Sequence, residues 1–139
     1  MNYINNNKTT ITSFTIRKKI ECINIDHANA QIESLKRLYD NKNTFGKILI
    51  PNFTFGQEQN VVWYIADYVK GQCLSTSEMV NIVWPSCVLR EDTFTLSNYD
   101  RINYIRCDES KDIYYIDLND CKDMSMQERH NVFAKQVKI

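Results

Sequence analysis

The spacing of apolar residues changes twice in the first half of the chain, and this limits the folds that it can form. Apolar and polar residues alternate along 9–25, which predicts one bent strand or a hairpin. Along 26–41 the apolar residues recur at helical spacing, which predicts a helix with Asp26 as N-cap and a stop at Asn41. Alternation returns along 45–69, so two strands joined by a turn are expected. This order is typical of an α+β domain with mostly antiparallel strands.

The middle of the chain predicts shorter elements. Gly71 is expected to break the sheet. A short helix is expected over 76–84, with Thr76 as its N-cap and an end at Pro85, because proline cannot continue a regular helix. The segment 93–98, rich in β-branched and aromatic residues at its start, predicts a short strand or an extended loop.

The last part of the chain predicts a hairpin and a helix. Two runs rich in Ile and Tyr, "INYIR" and "IYYID", flank a polar turn. Ser125 and Glu128 stand in capping-box register at the start of the final helix. Residues 1–8 form a polar end, and no repeat or linker divides the rest of the chain.

The composition excludes several classes of partner. Seventeen basic and seventeen acidic residues give a net charge of zero, which provides no electrostatic reason to bind nucleic acid or an anionic membrane. Residues 1–10 lack the apolar segment of a signal peptide, so a cytoplasmic location is expected. The abundance of Asn, Ile, Lys and Tyr indicates AT-rich coding, as in many phages and some bacteria. For a phage-encoded protein, the expected location is the host cytoplasm. Five scattered cysteines and two histidines offer no zinc framework and predict reduced, mostly buried thiols.

The segment "NYIRCDESKDIYYIDLND" resembles the metal-binding hairpin of protein-kinase-like phosphotransferases, the superfamily of aminoglycoside phosphotransferases and small lipopolysaccharide kinases. In that family an Asn before one strand and an Asp after the next bind Mg²⁺, and Asn103 and Asp117 match them. The segment "IADYVKG" resembles the hinge whose backbone contacts adenine, which implies roles for Asp67 and Val69. The segment "QIESLKRL" resembles the small-lobe helix, and "FTIRKKI" resembles the strand with the phosphate-binding lysine, here Lys18.

The resemblance implies a fold and two ligands. It implies a protein-kinase-like small lobe over 9–70, made of an antiparallel sheet and one helix, and a minimal large-lobe remnant over 71–139. Together these form one compact domain, 1–139, which is truncated because 19 residues follow "DLND". ATP and Mg²⁺ are the implied ligands, with Lys18 ahead of Lys19 as the phosphate ligand.

The residues that phosphoryl transfer needs are incomplete. Counting back from Asn103 in the family's D-x-x-x-x-N pattern, the catalytic base falls on Asn98, whose amide cannot take up a proton. Asp100 is the one candidate to replace it. The family's helix glutamate falls on Gln31. The first glycine is Gly46, so a Gly-rich loop over the phosphates is absent.

These departures predict a degenerate, pseudokinase-like regulatory protein that has no catalytic residue and acts by binding a protein partner or a second copy. Residual affinity for ATP and Mg²⁺ is expected at Lys18, Asn103 and Asp117. Two alternatives stay open: a minimal active ATP-dependent phosphotransferase, and an unrelated α+β structural or assembly protein. In the last case Asn103 and Asp117 would cap strand ends and Lys18 would lie on a solvated strand edge.

Overall fold

The computed structural model of the protein describes residues 7–11 and 14–138, so most of the polar end predicted over 1–8 lies outside the described residues. In chain order the elements are β1 (Asn7–Ile11), β2 (Thr15–Glu21), α1 (Ile25–Asn41), β3 (Ile48–Leu49), β4 (Phe53–Glu58), β5 (Val61–Asp67), β6 (Gly71–Cys73), α2 (Thr76–Glu78), a π-helix (Met79–Val88), β7 (Phe94–Leu96), a 3₁₀ helix (Arg101–Asn103), β8 (Tyr104–Cys107), β9 (Ile113–Tyr115), β10 (Cys121–Asp123) and α3 (Met126–Val137).

The chain divides into two units. The first comprises the described residues up to Asp40 together with Pro51–Tyr68, and the second comprises Asn41–Ile50 and the chain from Val69 onward. No helix within 7–11 and 14–138 has both the length and the apolar character that crossing a bilayer requires.

The first unit contains an antiparallel sheet and one helix. Its four strands lie in the order β1-β2-β5-β4. The hairpin predicted for the first strands is confirmed, since β1 pairs with β2 through the whole of β1. The helical spacing predicted for α1 is also confirmed, because Leu35 and Leu38 are both buried. The α+β class expected from the sequence is therefore correct.

The start of α1 differs from its prediction by a small shift. The side-chain oxygen of Asn24 accepts a hydrogen bond from the backbone N–H of His27 at 2.9 Å, so Asn24 is the N-cap. Asp26 is not the cap, because the helix begins at Ile25 and Asp26 lies inside its first turn. There its carboxylate is near the positive end of the helix dipole. The predicted end at Asn41 is confirmed.

The second unit contains a four-stranded sheet in the order β3-β9-β8-β6 and a two-stranded sheet of β10 and β7. The pair of β3 and β9 is parallel, whereas the other pairs are antiparallel. The predicted break at Gly71 is wrong, since Gly71 begins β6 and pairs with Cys107. A glycine fits this strand because a Cβ atom there would lie 1.9 Å from the carbonyl oxygen of Arg106.

We expect Gly71→Ala to lower the free energy of unfolding by about 1–3 kcal/mol, because the backbone of Arg106 must move to admit a methyl group. Urea denaturation followed by circular dichroism measures the loss. Gly56→Ala is the control, since its Cβ would meet the half-buried ring of Trp63, a side chain that can turn away. An equal or larger loss in Gly56→Ala would contradict this reason.

The helix predicted over 76–84 is longer than expected and has a different cap. Ser75, not Thr76, is the N-cap and forms a capping box with the third helical residue. Pro85 does not end the helix, because wide π-helical turns carry it on to Val88. Cys87 and Val88, beyond the proline, are fully buried. Their burial stabilises turns that local sequence would disfavour.

A buried arginine joins the final helix, α3, to the rest of the second unit. The capping box predicted for Ser125 and Glu128 is confirmed. Arg129 is 2% exposed. Its guanidinium donates hydrogen bonds to four backbone carbonyl oxygens, those of Val88, Arg90, Asp92 and Met124. None of the described carboxylates forms a salt bridge with it.

Candidate functional site

In the first unit, Lys18 lies on the inner face of β2. It is 9% exposed and stands opposite the buried Tyr64 on β5, whereas its neighbour Lys19 is exposed. The interpretation of Lys18 as part of a solvated strand edge is therefore wrong. Successive residues of a strand face opposite sides of the sheet, so only one of two adjacent lysines can face solvent here.

The helix position that matches the family's glutamate also faces inward. Gln31 is half-buried, and its side-chain oxygen is buried without a hydrogen-bond partner among the described residues. Glu33 is exposed and forms an ion pair with Lys36 at 3.4 Å. The carboxylate that would orient a phosphate-binding lysine is thus absent from the inner position of α1.

The hinge-like segment provides Asp67 and Val69. Asp67 ends β5, and its carboxylate accepts a hydrogen bond from the side-chain amide of Asn52 at 3.4 Å. Val69 is half-buried and begins the second segment of the second unit.

In the second unit, the predicted hairpin forms from β8 and β9. Tyr104 pairs with Tyr115, and the backbone N–H of Ile116 donates to the carbonyl of Asn103 at 3.0 Å. This register places Ile116 opposite Asn103, so Asp117 lies one residue beyond that pair. The structure brings the start of β8 and the end of β9 together, as the spacing predicted. A side chain from a third segment donates a hydrogen bond to the Asp117 carboxylate.

That residue is Asn98, to which the sequence resemblance assigned the position of the catalytic base. Its side-chain N–H₂ group donates to Asp117 Oδ2 at 3.1 Å and to Asp120 Oδ2 at 3.3 Å. Its Oδ1 accepts hydrogen bonds from the backbone N–H of Asp100 at 3.0 Å and from Gln136 Nε2 at 3.1 Å. An amide has two N–H donors and two acceptor lone pairs, and all four are engaged here. We call these five residues the Asn98 network.

Two buried tyrosines of the hairpin support the Asn98 network. Tyr104 donates its hydroxyl to the carbonyl of Asn98 at 2.9 Å, and Tyr115 donates to the carbonyl of Asp120 at 2.8 Å. Burial raises the pKa of both phenols well above the usual value, so both remain protonated donors at neutral pH. The two tyrosines therefore hold the backbone at Asn98 and at Asp120 against the hairpin.

Asp100, the candidate replacement base, is exposed and caps the 3₁₀ helix. Its carboxylate accepts a hydrogen bond from the backbone N–H of Ile102 at 3.3 Å. Asp100 bonds to Asn98 through its backbone N–H and not through its carboxylate.

The oxygen atoms that Asp117 and Asn103 offer at the strand ends are suitable ligands for a divalent cation. Asp117 offers carboxylate oxygens, and the half-buried side-chain amide of Asn103 forms no hydrogen bond with the described residues. Mg²⁺ prefers oxygen ligands of these two kinds. Over 7–11 and 14–138, His, Cys, Asp and Glu side chains form no group of three or more that could hold a metal ion. Any cation bound by Asp117 would share its carboxylate with the Asn98 amide.

Two members of the Asn98 network were not identified from the sequence. Asp120 lies three residues after Asp117 in "DLND", and that spacing was a usable signal because one turn returns both side chains to the same side. Gln136 lies 38 residues from Asn98, inside a helix whose local pattern carries no sign of the contact.

The sequence matches no protein-family model and no curated protein sequence. Several solved structures match the fold. WbdD, solved with the kinase inhibitor LY294002, superposes with a TM-score of 0.54 at 12% identity, over 88% of this chain and 32% of that one. A double mutant of the Mycobacterium tuberculosis PknI kinase domain superposes with a TM-score of 0.50 at 13% identity, over 91% of this chain and 62% of that one.

The fold is kinase-like. The kinase-like fold agrees with the resemblance carried by the hairpin, the hinge-like segment and α1. The chain spans about a third of the WbdD structure and less than two thirds of the PknI domain.

Proposed function

We propose that the protein is a kinase-like binding protein without phosphotransferase activity. The observation that carries the proposal is the state of Asn98. Its amide has no basic lone pair, and its donors and acceptors are all used in bonds within the second unit. A substrate hydroxyl would find no proton acceptor at this position. The inward position of Gln31 supports the same conclusion, because a carboxamide cannot pair with a lysine as a glutamate does.

The proposed partner is a protein, either another chain or a second copy of this one. Each unit has large apolar side chains at its surface that a partner could cover. In the first unit Phe14 is 82% and Ile23 84% exposed. In the second unit Ile102, in the 3₁₀ helix, is 65% exposed. Sedimentation velocity of the purified chain tests self-association, and Ile102→Ser is expected to weaken any dimer that uses this residue.

We further propose residual affinity for ATP and Mg²⁺. The candidate residues are Lys18 and the hinge residue Asp67 in the first unit, and Asn103, Asp117 and the hinge residue Val69 in the second. Two observations support this proposal: Asp117 and Asn103 offer oxygen ligands, and Lys18 faces inward. Saturation to about ten times Kd is expected to raise the melting temperature by about 3–6 °C. Thermal shift with ATP and Mg²⁺, and with ATP and EDTA, measures this.

Matched variants make that measurement specific. The shift is expected to disappear in Asp117→Ala and to persist in Asp112→Ala, an exposed aspartate at the other end of the hairpin. A shift that survives both EDTA and Asp117→Ala would contradict the proposed ligands. Release of phosphate from ATP that is lost in Asp100→Ala would overturn the non-catalytic proposal and establish a minimal phosphotransferase.

A further inference from the structure

The hydrogen bonds around Asn98 run in one direction, and a backbone group determines that direction. The N–H of Tyr99 can only donate, and it donates to Gln136 Oε1 at 2.6 Å. The oxygen of the Gln136 side chain must therefore face Tyr99. Its nitrogen is left to face Asn98 Oδ1, at 3.1 Å.

The hydrogen bonds of the Asn98 side chain run in the same direction, from donors on its oxygen side to acceptors on its nitrogen side. Asn98 Oδ1 also receives the backbone N–H of Asp100 at 3.0 Å, so two donors hold this oxygen in place. The N–H₂ group of Asn98 must then face the carboxylates of Asp117 and Asp120. If the Asn98 amide were reversed, its oxygen would meet two carboxylates and its nitrogen would meet two donors.

We propose that Gln136 is a positioning residue for Asp117. Together with the backbone N–H of Asp100, Gln136 fixes the direction of the Asn98 amide, and through that amide it orients one of the donors to the Asp117 carboxylate. The inference rests on the proposed function only in treating Asp117 as the residue that a ligand meets. It makes α3 a part of the candidate site, although α3 lies outside the segments that carry the kinase resemblance.

Aromatic packing holds α3 in the position that this link needs. Phe133 on the buried face of α3 packs against Tyr99, with ring centroids 5.5 Å apart, and against Trp84 at 5.1 Å. Trp84 also contacts the exposed His130 at 4.9 Å.

A double-mutant cycle tests the link directly and needs no ligand. Gln136→Leu and Asp117→Asn are compared with the double variant by urea denaturation. Residues without a direct contact normally act additively, whereas this link predicts a deviation of about three- to tenfold in the unfolding equilibrium constant. The deviation is expected to vanish when the cycle is repeated in Asn98→Ala. Gln127→Leu is the control, because among the described residues the amide of Gln127 bonds only to Asn131 on the same helix.

A second variant tests the direction of the bonds. In Gln136→Glu the introduced carboxylate would still accept from Tyr99 but would place an oxygen against Asn98 Oδ1. Native-state hydrogen exchange at Tyr99 and Asp100 is expected to accelerate about tenfold at pH 7 and to recover near pH 4, where the protonated carboxyl group donates again. Gln136→Leu, followed over the same pH range, serves as the reference for the titration of Asp100, Asp117 and Asp120.

Two results would overturn the inference. One is an additive cycle, which would make Gln136 a local anchor of the loop alone. The other is a Gln136→Glu variant whose exchange does not recover in acid relative to Gln136→Leu. Failure of ATP to bind would contradict the residual nucleotide affinity and would leave both of these measurements unaffected.

Discussion

Replacing Arg129 with leucine is expected to lower the free energy of unfolding by about 4 kcal/mol or more. The buried guanidinium donates to four backbone carbonyl oxygens. Leucine matches its bulk but donates nothing, and each buried carbonyl left without a donor costs about 1–3 kcal/mol. A buried salt bridge can often be replaced by apolar residues without loss, because both partners are removed together. Backbone carbonyls cannot be removed, so that compensation is absent here.

Urea denaturation of Arg129→Leu, Arg129→Lys and Lys135→Leu separates this cause from a general effect of losing charge. Lys135→Leu also removes a cation from α3, but its side chain is exposed, so a change of at most about 1 kcal/mol is expected. Arg129→Lys keeps the charge with three donors on one atom, which cannot match the planar guanidinium, and an intermediate loss is expected. Equal losses in Arg129→Leu and Lys135→Leu would contradict the role assigned to the four carbonyls.

Asn98→Asp, the change that restores the family's catalytic base, is expected to destabilise the protein by about 2–4 kcal/mol at pH 7. The substitution removes the two N–H groups that bond to Asp117 and Asp120 and places a third carboxylate beside them. No phosphotransfer is expected to appear, because the other departures from the family remain.

The destabilisation is expected to depend on pH in a defined direction. Neighbouring carboxylates raise the folded-state pKa of the introduced carboxyl group above its unfolded value. An acid with a raised pKa destabilises the folded state while it is ionised, so the deficit relative to wild type should shrink as pH falls from 7 toward 4. Urea denaturation at pH 7, 5.5 and 4 measures this, with Asn43→Asp on the exposed surface as the control. A deficit independent of pH, or phosphate release from ATP, would count against the assignment.

The elements that the sequence predicted correctly are those whose signals are local. The capping box of Ser125 and Glu128 lies within one helical turn, and the hairpin of β8 and β9 follows from two Tyr-rich runs and a polar turn. The predicted N-caps of α1 and α2 were displaced by one or two residues, to Asn24 and Ser75. The larger failures, at Gly71 and Pro85, occurred where a distant contact outweighs local preference. Gly71 enters a strand because the backbone of Arg106 approaches it too closely for a side chain. Pro85 remains inside a helix because the residues after it are buried.

The sequence by itself determined that position 98 cannot act as a base, because an amide has no basic lone pair whatever surrounds it. It also predicted that Asn103 and Asp117 lie at the same end of one hairpin, opposite its turn. Only the tertiary structure decided what the Asn98 amide does instead, since Asp120 reaches it from the loop before β10 and Gln136 reaches it from α3. Two buried tyrosines, on β8 and β9, bond to the backbone carbonyls of Asn98 and Asp120. Hydrogen-bond partners separated by tens of residues meet through packing of whole elements, and no local pattern of apolar and polar residues records that meeting.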